Sequence, residues 1–192
     1  MTYAEGVALV SRHPMAKRFL KRFVGSRELI NGGDRWCLWI ENEELENAQS
    51  IGEIAQRLAE VRVAREASRG EQAKGGVSTP HRFVFAPHRP GYAVAVPKVS
   101  SARRPYIPCV LTDETTIVSD LARVIYDAPL WSLALVASKL HLVWIATVCG
   151  KLKTDFRYSN TLGWNTFPVR TLTEQAKADL TRCAEDILLT RE

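Results

Sequence analysis

Two stretches of the chain combine cations with groups that can form directed hydrogen bonds. The first lies between two strand-like segments and supplies Lys98, Ser100, Ser101, Arg103 and Arg104. Hydroxyls and backbone amides can hold phosphate oxygens, and arginine offers a planar fork to a phosphate or to the edge of a guanine. The same composition also fits a solvated basic turn, and the residues alone leave both interpretations open.

The second stretch adds an aromatic ring and an amide to its cations. Its members are Lys151, Lys153, Arg157, Tyr158, Ser159 and Asn160. Cations can hold a nucleic-acid backbone, tyrosine can stack on a base, and the asparagine amide can pair with adenine. The alternative is structural, with Tyr158 and Trp164 sealing the base of the preceding apolar segment. We predict ten nucleic-acid contacts: Lys98, Ser100, Ser101, Arg103, Arg104, Lys153, Arg157, Tyr158, Ser159 and Asn160.

The patterns of common catalytic sites are missing from the sequence. No Gly-x-Gly turn occurs that would bring the backbone close to a methyl donor, and no Pro-Pro pair follows an Asn or Asp. Asp113 and Glu114 are the nearest approach to the carboxylates of a metal-dependent nuclease, but no lysine follows at the required spacing. We predict that this pair forms a turn between two strands. We therefore expect no catalytic residue and no metal site in this chain.

The overall composition is that of an ordinary globular protein with a basic surface. The chain has 192 residues, 46% of them hydrophobic and 24% charged, and a formal net charge of +5. An excess of cations favours an anionic partner. The four cysteines are widely spaced, which predicts reduced core thiols and neither zinc nor disulfides. We expect a cytoplasmic protein without a membrane segment, because Glu5 precedes the first apolar patch, the wrong order for a signal peptide.

Periodicity predicts the elements that must position the two stretches. We expect four helices: one over 6–20, one that begins near Ser50, one over 129–150 and one that begins near Thr173. Capping boxes at Ser50 and Thr171 mark the start of the second and the fourth. Lys139 and His141 interrupt the apolar run 129–150, so we predict a buried helix there and not a membrane span. A hairpin should join 23–27 to 35–40, 70–79 should be a mobile loop, and strands should cover 82–86, 91–96, 106–111 and 115–119.

These elements predict an α+β fold. It should have a small mixed or mostly antiparallel sheet with packed helices, including the long buried helix and a C-terminal helix. We divide the chain into an N-terminal linker helix over 1–22, a principal domain over 23–170 and a C-terminal helix over 171–192. That last helix would pack on the domain or lead to a missing segment.

Three ordered motifs resemble one known family. They are the segment from Phe23 to Trp39, the Ser-Ser-x-Arg-Arg-x-Tyr-Ile-Pro segment that starts at Ser100, and the segment from Tyr158 to Pro168. In this order they resemble MmeI-like type II restriction–modification enzymes. Those are large single-chain proteins with nuclease, adenine N6-methyltransferase and target-recognition parts. Family enzymes usually carry a glutamate where Ala102 stands, so no role of that glutamate carries over.

The resemblance implies a function for the chain. It would be the target-recognition part and C-terminal helix of an adenine-specific DNA methyltransferase, reading a base sequence in double-stranded DNA. The catalytic methyltransferase domain of the full-length protein would be its partner and would bind S-adenosylmethionine, and this chain would bind no cofactor and would be a C-terminal fragment. Two alternatives stay open: a protein–protein docking module of a larger assembly without direct DNA readout, and an independent nuclease.

Overall fold

The computed structural model describes residues 1–85 and 88–191. The chain divides into two compact units, one formed by Met1–Phe23 with Gly33–Pro87 and the other by Val24–Gly32 with His88–Glu192. Helices and short antiparallel strands occur in both, so the predicted α+β class is confirmed. The boundaries that we placed at 22/23 and 170/171 stay predictions.

The described residues contain short helices and shorter strands. The helices are α1 (Tyr3–Arg12), α2 (Ser26–Asn31), α3 (Leu45–Gln49), α4 (Gly52–Glu66), α5 (Glu71–Gly75), α6 (Trp131–Val136), α7 (Lys139–Val148) and α8 (Glu174–Leu189). The strands are β1 (Leu20–Val24), β2 (Trp36–Leu38), β3 (Ala93–Pro97), β4 (Val99–Ser100), β5 (Val110–Thr112), β6 (Thr116–Val118), β7 (Ala122–Tyr126), β8 (Lys151–Leu152) and β9 (Asp155–Arg157).

The core of the first unit forms around α1 and α4. Leu9 of α1 is buried in one cluster with Phe19, Ile40, Ile54 and Leu58. Helix α1 ends before the predicted limit because Pro14, which lacks an N–H donor, begins a 3₁₀ turn over Pro14–Phe19. Leu9 thus packs the N-terminal helix into this core.

The connection between β1 and β2 differs from the predicted hairpin. The two strands pair antiparallel, with Leu20 opposite Leu38, but the segment between them forms helix α2. Glu28 starts this helix by accepting a hydrogen bond from the N–H of Gly25 at 2.8 Å. Gly32 ends it with a φ of +72°, a left-handed conformation that suits glycine. The caps at Glu28 and Gly32 thus favour helix α2 over the predicted tight turn between the two strands.

Two further predictions for the first unit are wrong, and a third is wrong over residues 82–85. The hydroxyl of Ser50 donates to the carbonyl of Asn47 at 2.7 Å and does not cap α4, which begins at Gly52. The segment predicted as a mobile loop contains α5, and the guanidinium of Arg65 donates to the carbonyls of Gly76 at 2.6 Å and Thr79 at 2.9 Å. Of the predicted strand 82–86, residues 82–85 are not in a strand, and residue 86 lies outside the described residues.

The second unit is built on the antiparallel sheet β5-β3-β7. One face of β3 places Val94 and Val96 in a core with Leu133 of α6, Ile145 of α7 and Ala184 of α8. Three of the predicted strands correspond to observed strands with shifted ends: 91–96 to β3, 106–111 to β5 and 115–119 to β6. Strand β7 was not predicted at all.

The acidic pair beside this sheet forms the predicted turn. A carboxylate oxygen of Asp113 accepts hydrogen bonds from the N–H of Thr115 at 3.0 Å and from the hydroxyls of Thr115 and Thr116 at 2.7 and 2.9 Å. These bonds stabilise the charged form and hold the pKa of Asp113 below its usual value, although burial opposes them. Asp113 therefore has a structural role between β5 and β6.

The predicted long helix consists of two helices, α6 and α7. Ser138 separates them in an extended conformation, and its hydroxyl accepts the N–H of His141 at 3.1 Å as an N-cap. Helix α7 is only partly buried, since Leu140 is 70% exposed and Val143 is 56% exposed. Across residues 1–85 and 88–191, every helix is too short or too polar to span a membrane.

The C-terminal helix starts close to the predicted residue. Its N-cap is Thr173 and not Thr171, because the hydroxyl of Thr173 accepts the N–H of Ala176 at 3.2 Å. Cys37, Cys109 and Cys149 are buried as predicted, whereas Cys183 lies on the exposed side of α8. A cysteine within an amphipathic helix can face either side, and packing decides which.

Candidate nucleic-acid interface

A third sheet of the second unit brings the two predicted stretches together. Strand β4 pairs antiparallel with β9, placing Val99 opposite Arg157 and Ser100 opposite Phe156. The N–H of Tyr158 extends this pairing by donating to the carbonyl of Lys98 at 2.9 Å. The two stretches are far apart in sequence, so this pairing alone makes them neighbours.

The β8–β9 hairpin forms the outer part of this sheet. Lys151 lies opposite Phe156 and Leu152 opposite Asp155, which leaves Lys153 in a two-residue turn. Lys153 is exposed and has a φ of +57°, a left-handed conformation that costs a residue other than glycine about 1–2 kcal/mol. The hairpin thus holds a lysine at its tip where glycine would be less strained.

Alternation along β9 decides which cation faces outward. Phe156 is buried, and its neighbour Arg157 is exposed because successive side chains of a strand point to opposite faces. The Nζ atom of Lys151 lies 5.9 Å from the centre of the Phe156 ring, within the range of a weak cation–π contact. Phe156 therefore anchors the hairpin, and Arg157 is left available at the surface.

Tyr158 belongs to the core and not to the surface. It is 2% exposed, and its hydroxyl lies 3.0 Å from Nε2 of His141, which is fully buried. Burial raises the pKa of the Tyr158 hydroxyl and lowers the pKa of His141 to about 4, so both groups are neutral at pH 7. No face of the Tyr158 ring is available for a base. This placement supports the alternative interpretation, in which Tyr158 packs against the apolar segment and does not contact a base.

Ser159 and Asn160 hold the segment that follows. The hydroxyl of Ser159 accepts the N–H of Leu162 at 3.4 Å and caps the π-helical turn Asn160–Trp164. The amide nitrogen of Asn160 donates to the carbonyl of Val124 in β7 at 3.0 Å, and its Oδ1 is buried without a hydrogen-bond partner. The Asn160 amide is therefore engaged with the fold, and its predicted pairing with adenine is not supported.

The turn over Asn160–Trp164 packs against α7 at a position where only glycine fits. A Cβ atom added to Gly163 would lie 2.5 Å from Cδ1 of Ile145 and 3.3 Å from Sγ of Cys149. We expect Gly163→Ala to lower the free energy of unfolding by about 2 kcal/mol, since overpacking a core costs about 1–3 kcal/mol. Urea denaturation followed by circular dichroism measures this. The matched control is Gly150→Ala, where nothing lies within 4 Å of the added atom.

The first basic stretch forms a tight loop after β4. The hydroxyl of Ser101 accepts the N–H of Arg103 at 3.3 Å, and the carbonyl of Ser101 accepts the N–H of Arg104 at 3.2 Å. Arg103 is exposed, and Lys98, Ser101 and Arg104 are half-buried. Ser100 is only 4% exposed, so its hydroxyl lies below the surface and not on it.

Several cations elsewhere in the chain are paired with carboxylates. Arg12 pairs with Glu53, Arg18 with Glu44, Arg62 with Glu66, Lys177 with Glu174, and Arg182 with Asp179. Within residues 1–85 and 88–191, no ion pair with a carboxylate forms at Lys98, Arg103, Arg104, Lys151, Lys153 or Arg157. Direct ion pairs within the described residues therefore leave these six cations unneutralised.

One half-buried cation of the second unit was not singled out from the sequence. Arg123 in β7 is half-buried, and its Nε atom has no hydrogen-bond partner. It sits within an ordinary strand pattern, Ala122–Tyr126, and nothing in that pattern distinguishes it from a solvated residue.

Comparison with known proteins decides the family. The family model described as MmeI, target recognition domain, matches residues 1–171, which include both basic stretches. The chain belongs to the MmeI target recognition domain family. This confirms the resemblance predicted from the three ordered motifs.

Two relatives of the MmeI target recognition domain cover the whole chain. DNA methyltransferase A of Bacillus subtilis (strain 168) is 37% identical over 191 residues, which are 100% of this chain and 22% of that protein. The solved structure of the type IIL restriction–modification enzyme MmeI in complex with DNA superposes with a TM-score of 0.89 at 28% identity. The superposition covers 100% of this chain and 26% of the MmeI chain. The chain thus spans about a quarter of the length of these relatives.

Proposed function

We propose that this chain reads a base sequence in double-stranded DNA through the sheet β4-β9-β8 and the loops that flank it. The observation that carries the proposal is the joining of two cationic stretches into one surface whose cations lack carboxylate partners. Lysine and arginine side chains that meet phosphates release counterions, which is the main source of affinity for DNA. The complex of MmeI with DNA supports the same partner for this domain.

The residues divide into two roles in this proposal. Lys98, Arg103, Arg104, Lys153 and Arg157 contact phosphates or base edges. Five others hold that surface in place through hydrogen bonds or packing: Ser100, Ser101, Tyr158, Ser159 and Asn160. The division follows the contacts that are already made, since Ser101, Tyr158, Ser159 and Asn160 are hydrogen-bonded within the chain and Ser100 is nearly buried.

The wider activity of the full-length protein is also a proposal. The chain would direct an adenine-specific DNA methyltransferase of a type II restriction–modification system to its site. The chain has no Gly-x-Gly turn, so its residues do not fit a methyl donor, and we place S-adenosylmethionine in the catalytic domain. That domain is the proposed protein partner of this chain.

Binding to DNA tests the proposal directly. We expect the 192-residue chain to enrich a sequence from a pool of randomised DNA duplexes. Its association constant for that duplex, followed by fluorescence anisotropy, should fall linearly on a log–log plot as salt rises, with a slope of about −0.9 per phosphate contact. No enrichment, or an affinity that does not change with salt, would show that the surface has another use.

A second candidate function rests on α7. Leu140 and Val143 are one turn apart on its exposed side, and exposed apolar residues with this spacing can form part of a protein interface. A docking module without DNA readout would keep its partner at high salt and lose it in Leu140→Glu. The duplex-binding experiment separates this candidate from DNA recognition.

A further inference from the structure

Tyr106 is an exposed tyrosine in the loop that carries Arg103 and Arg104. Its side chain is 49% exposed, and within residues 1–85 and 88–191 no hydrogen bond and no ring contact engages it. Of the five tyrosines in the chain, three have partners for their rings or hydroxyls: Tyr3, Tyr126 and Tyr158. A single exposed tyrosine is ordinary at a protein surface, so the place of Tyr106 in the loop decides whether it has a use.

The loop over 101–106 is fixed at both ends. Before it, strand β4 is paired with β9. After it, Ile107 and Cys109 are 1% and 4% exposed and belong to the core of the second unit. Pro105, directly before Tyr106, has a fixed φ, which narrows the conformations of the loop further. Tyr106 is therefore held at the surface with little backbone freedom to lose when a ligand binds.

Tyr106 also lies close to an exposed cation along the chain. It follows Arg103 by three residues, and Arg103 forms no ion pair with a carboxylate of residues 1–85 or 88–191. Since successive Cα atoms are about 3.8 Å apart, the Cα atoms of the two residues are separated by at most about 11 Å. That separation equals about three base-pair steps of about 3.4 Å each. A DNA backbone that meets Arg103 therefore passes within reach of Tyr106.

The chemistry of duplex DNA favours a phosphate over a base as the partner of Tyr106. The bases of a duplex are stacked on one another, so they present no free ring face to an aromatic side chain. The phenolic hydroxyl is a hydrogen-bond donor, and tyrosine is one of the side chains that bond phosphate oxygens. We infer that the Tyr106 hydroxyl donates a hydrogen bond to a phosphate in the stretch of DNA backbone that passes Arg103. This inference rests on the proposed function and adds an uncharged contact residue to it.

The test removes a single hydroxyl from the 192-residue chain. Tyr106→Phe is expected to bind the enriched duplex about tenfold more weakly, because it loses one hydrogen bond to a charged acceptor. Its log–log salt slope should equal that of the wild type, since an uncharged donor releases no counterion. Its stability in urea should also be unchanged. Tyr92→Phe is the matched control, because Tyr92 is 66% exposed and lies at the opposite end of β3 from this loop.

Duplexes with single neutral phosphates identify the acceptor. Each phosphate of the enriched duplex is replaced in turn by a methylphosphonate, which removes its charge. The wild-type chain should keep its advantage over Tyr106→Phe on all of these duplexes except those altered at one backbone position, where the advantage should disappear. An advantage that persists at every position would show that the acceptor is not a phosphate, and the inference would be wrong.

The outcomes separate this inference from the proposed function. If Tyr106→Phe binds like the wild type while replacement of Arg103 and Arg157 weakens binding, the Tyr106 contact is wrong and DNA recognition stands. If Tyr106→Phe binds like the wild type and Tyr106→Ala binds weakly, the ring and not the hydroxyl makes the contact, and the inference is wrong. If Tyr106→Phe is less stable in urea, Tyr106 is a structural residue and the inference is again wrong. If no variant alters binding of the duplex, both the inference and the proposed function fail.

Discussion

The double variant Arg103→Ala/Arg157→Ala is expected to bind its cognate duplex about 100-fold more weakly than the wild-type chain. Both side chains are exposed, and each lies on a different basic stretch of the sheet β4-β9-β8. A hydrogen bond to a charged group contributes about 1.5–3 kcal/mol, so losing two costs about 3 kcal/mol or more. Because about 1.4 kcal/mol corresponds to a factor of ten, this amounts to roughly 100-fold.

The salt dependence of this variant distinguishes lost contacts from a misfolded domain. Loss of two phosphate contacts should make the log–log slope shallower by about 1.8. The matched control is Arg62→Ala/Arg182→Ala, which removes the same charge from exposed positions that are paired with Glu66 and Asp179. Equal losses in both double variants would mean that only net charge matters, contrary to a defined surface. Circular dichroism should show both variants folded.

The second large effect is a loss of stability in mild acid that depends on His141. The ring is fully buried, its Nε2 lies 3.0 Å from the hydroxyl of Tyr158, and its Nδ1 has no partner. Burial lowers the pKa of His141 from 6.5 to about 4. The unfolded chain therefore binds a proton at a higher pH than the folded chain does. The contribution to stability is complete above pH 6.5 and is lost as pH falls toward 4.

The expected loss between pH 7 and pH 5 is about 2 kcal/mol of unfolding free energy, measured by urea denaturation at each pH. The variant His141→Leu/Tyr158→Phe removes the titrating ring together with its hydroxyl partner, so neither member of this hydrogen bond is left unpaired. Its stability should change less over this range. Burial also lowers the pKa of His81, which acts in the same direction in both proteins, so the difference between them isolates His141. Parallel curves would contradict the assignment.

Several features were predictable because they depend on neighbouring residues. The turn at Asp113 is closed by hydrogen bonds from its carboxylate to threonines two and three residues further along the chain. The start of α8 follows from an N-cap and an amphipathic run. The α+β class follows from the succession of periodic segments, and the family from three ordered motifs. None of these requires knowing which distant segments meet.

The β8–β9 hairpin could not be predicted in the same way. Five of the seven residues over Lys151–Arg157 are polar, and the two apolar ones, Leu152 and Phe156, are four positions apart, so the segment lacks the regular alternation of a half-buried strand and looks like a loop. It becomes a strand pair because β9 hydrogen-bonds to β4, which lies far away in sequence. The break between α6 and α7 has a different, local origin, since the hydroxyl of Ser138 accepts the N–H of His141 three residues further on.

The local sequence determines which chemical groups are present at the candidate interface, but it does not determine their roles. Tyrosine and asparagine can contact bases or support the fold. Only the contact with His141 assigns Tyr158 to the core, and only the hydrogen bond to β7 engages Asn160 with the fold. Arg123 is inconspicuous in its strand, and only the antiparallel register places it opposite Val96 of β3. Burial is a property of contacts between distant segments. The tertiary structure therefore decides which cations remain unpaired at the surface.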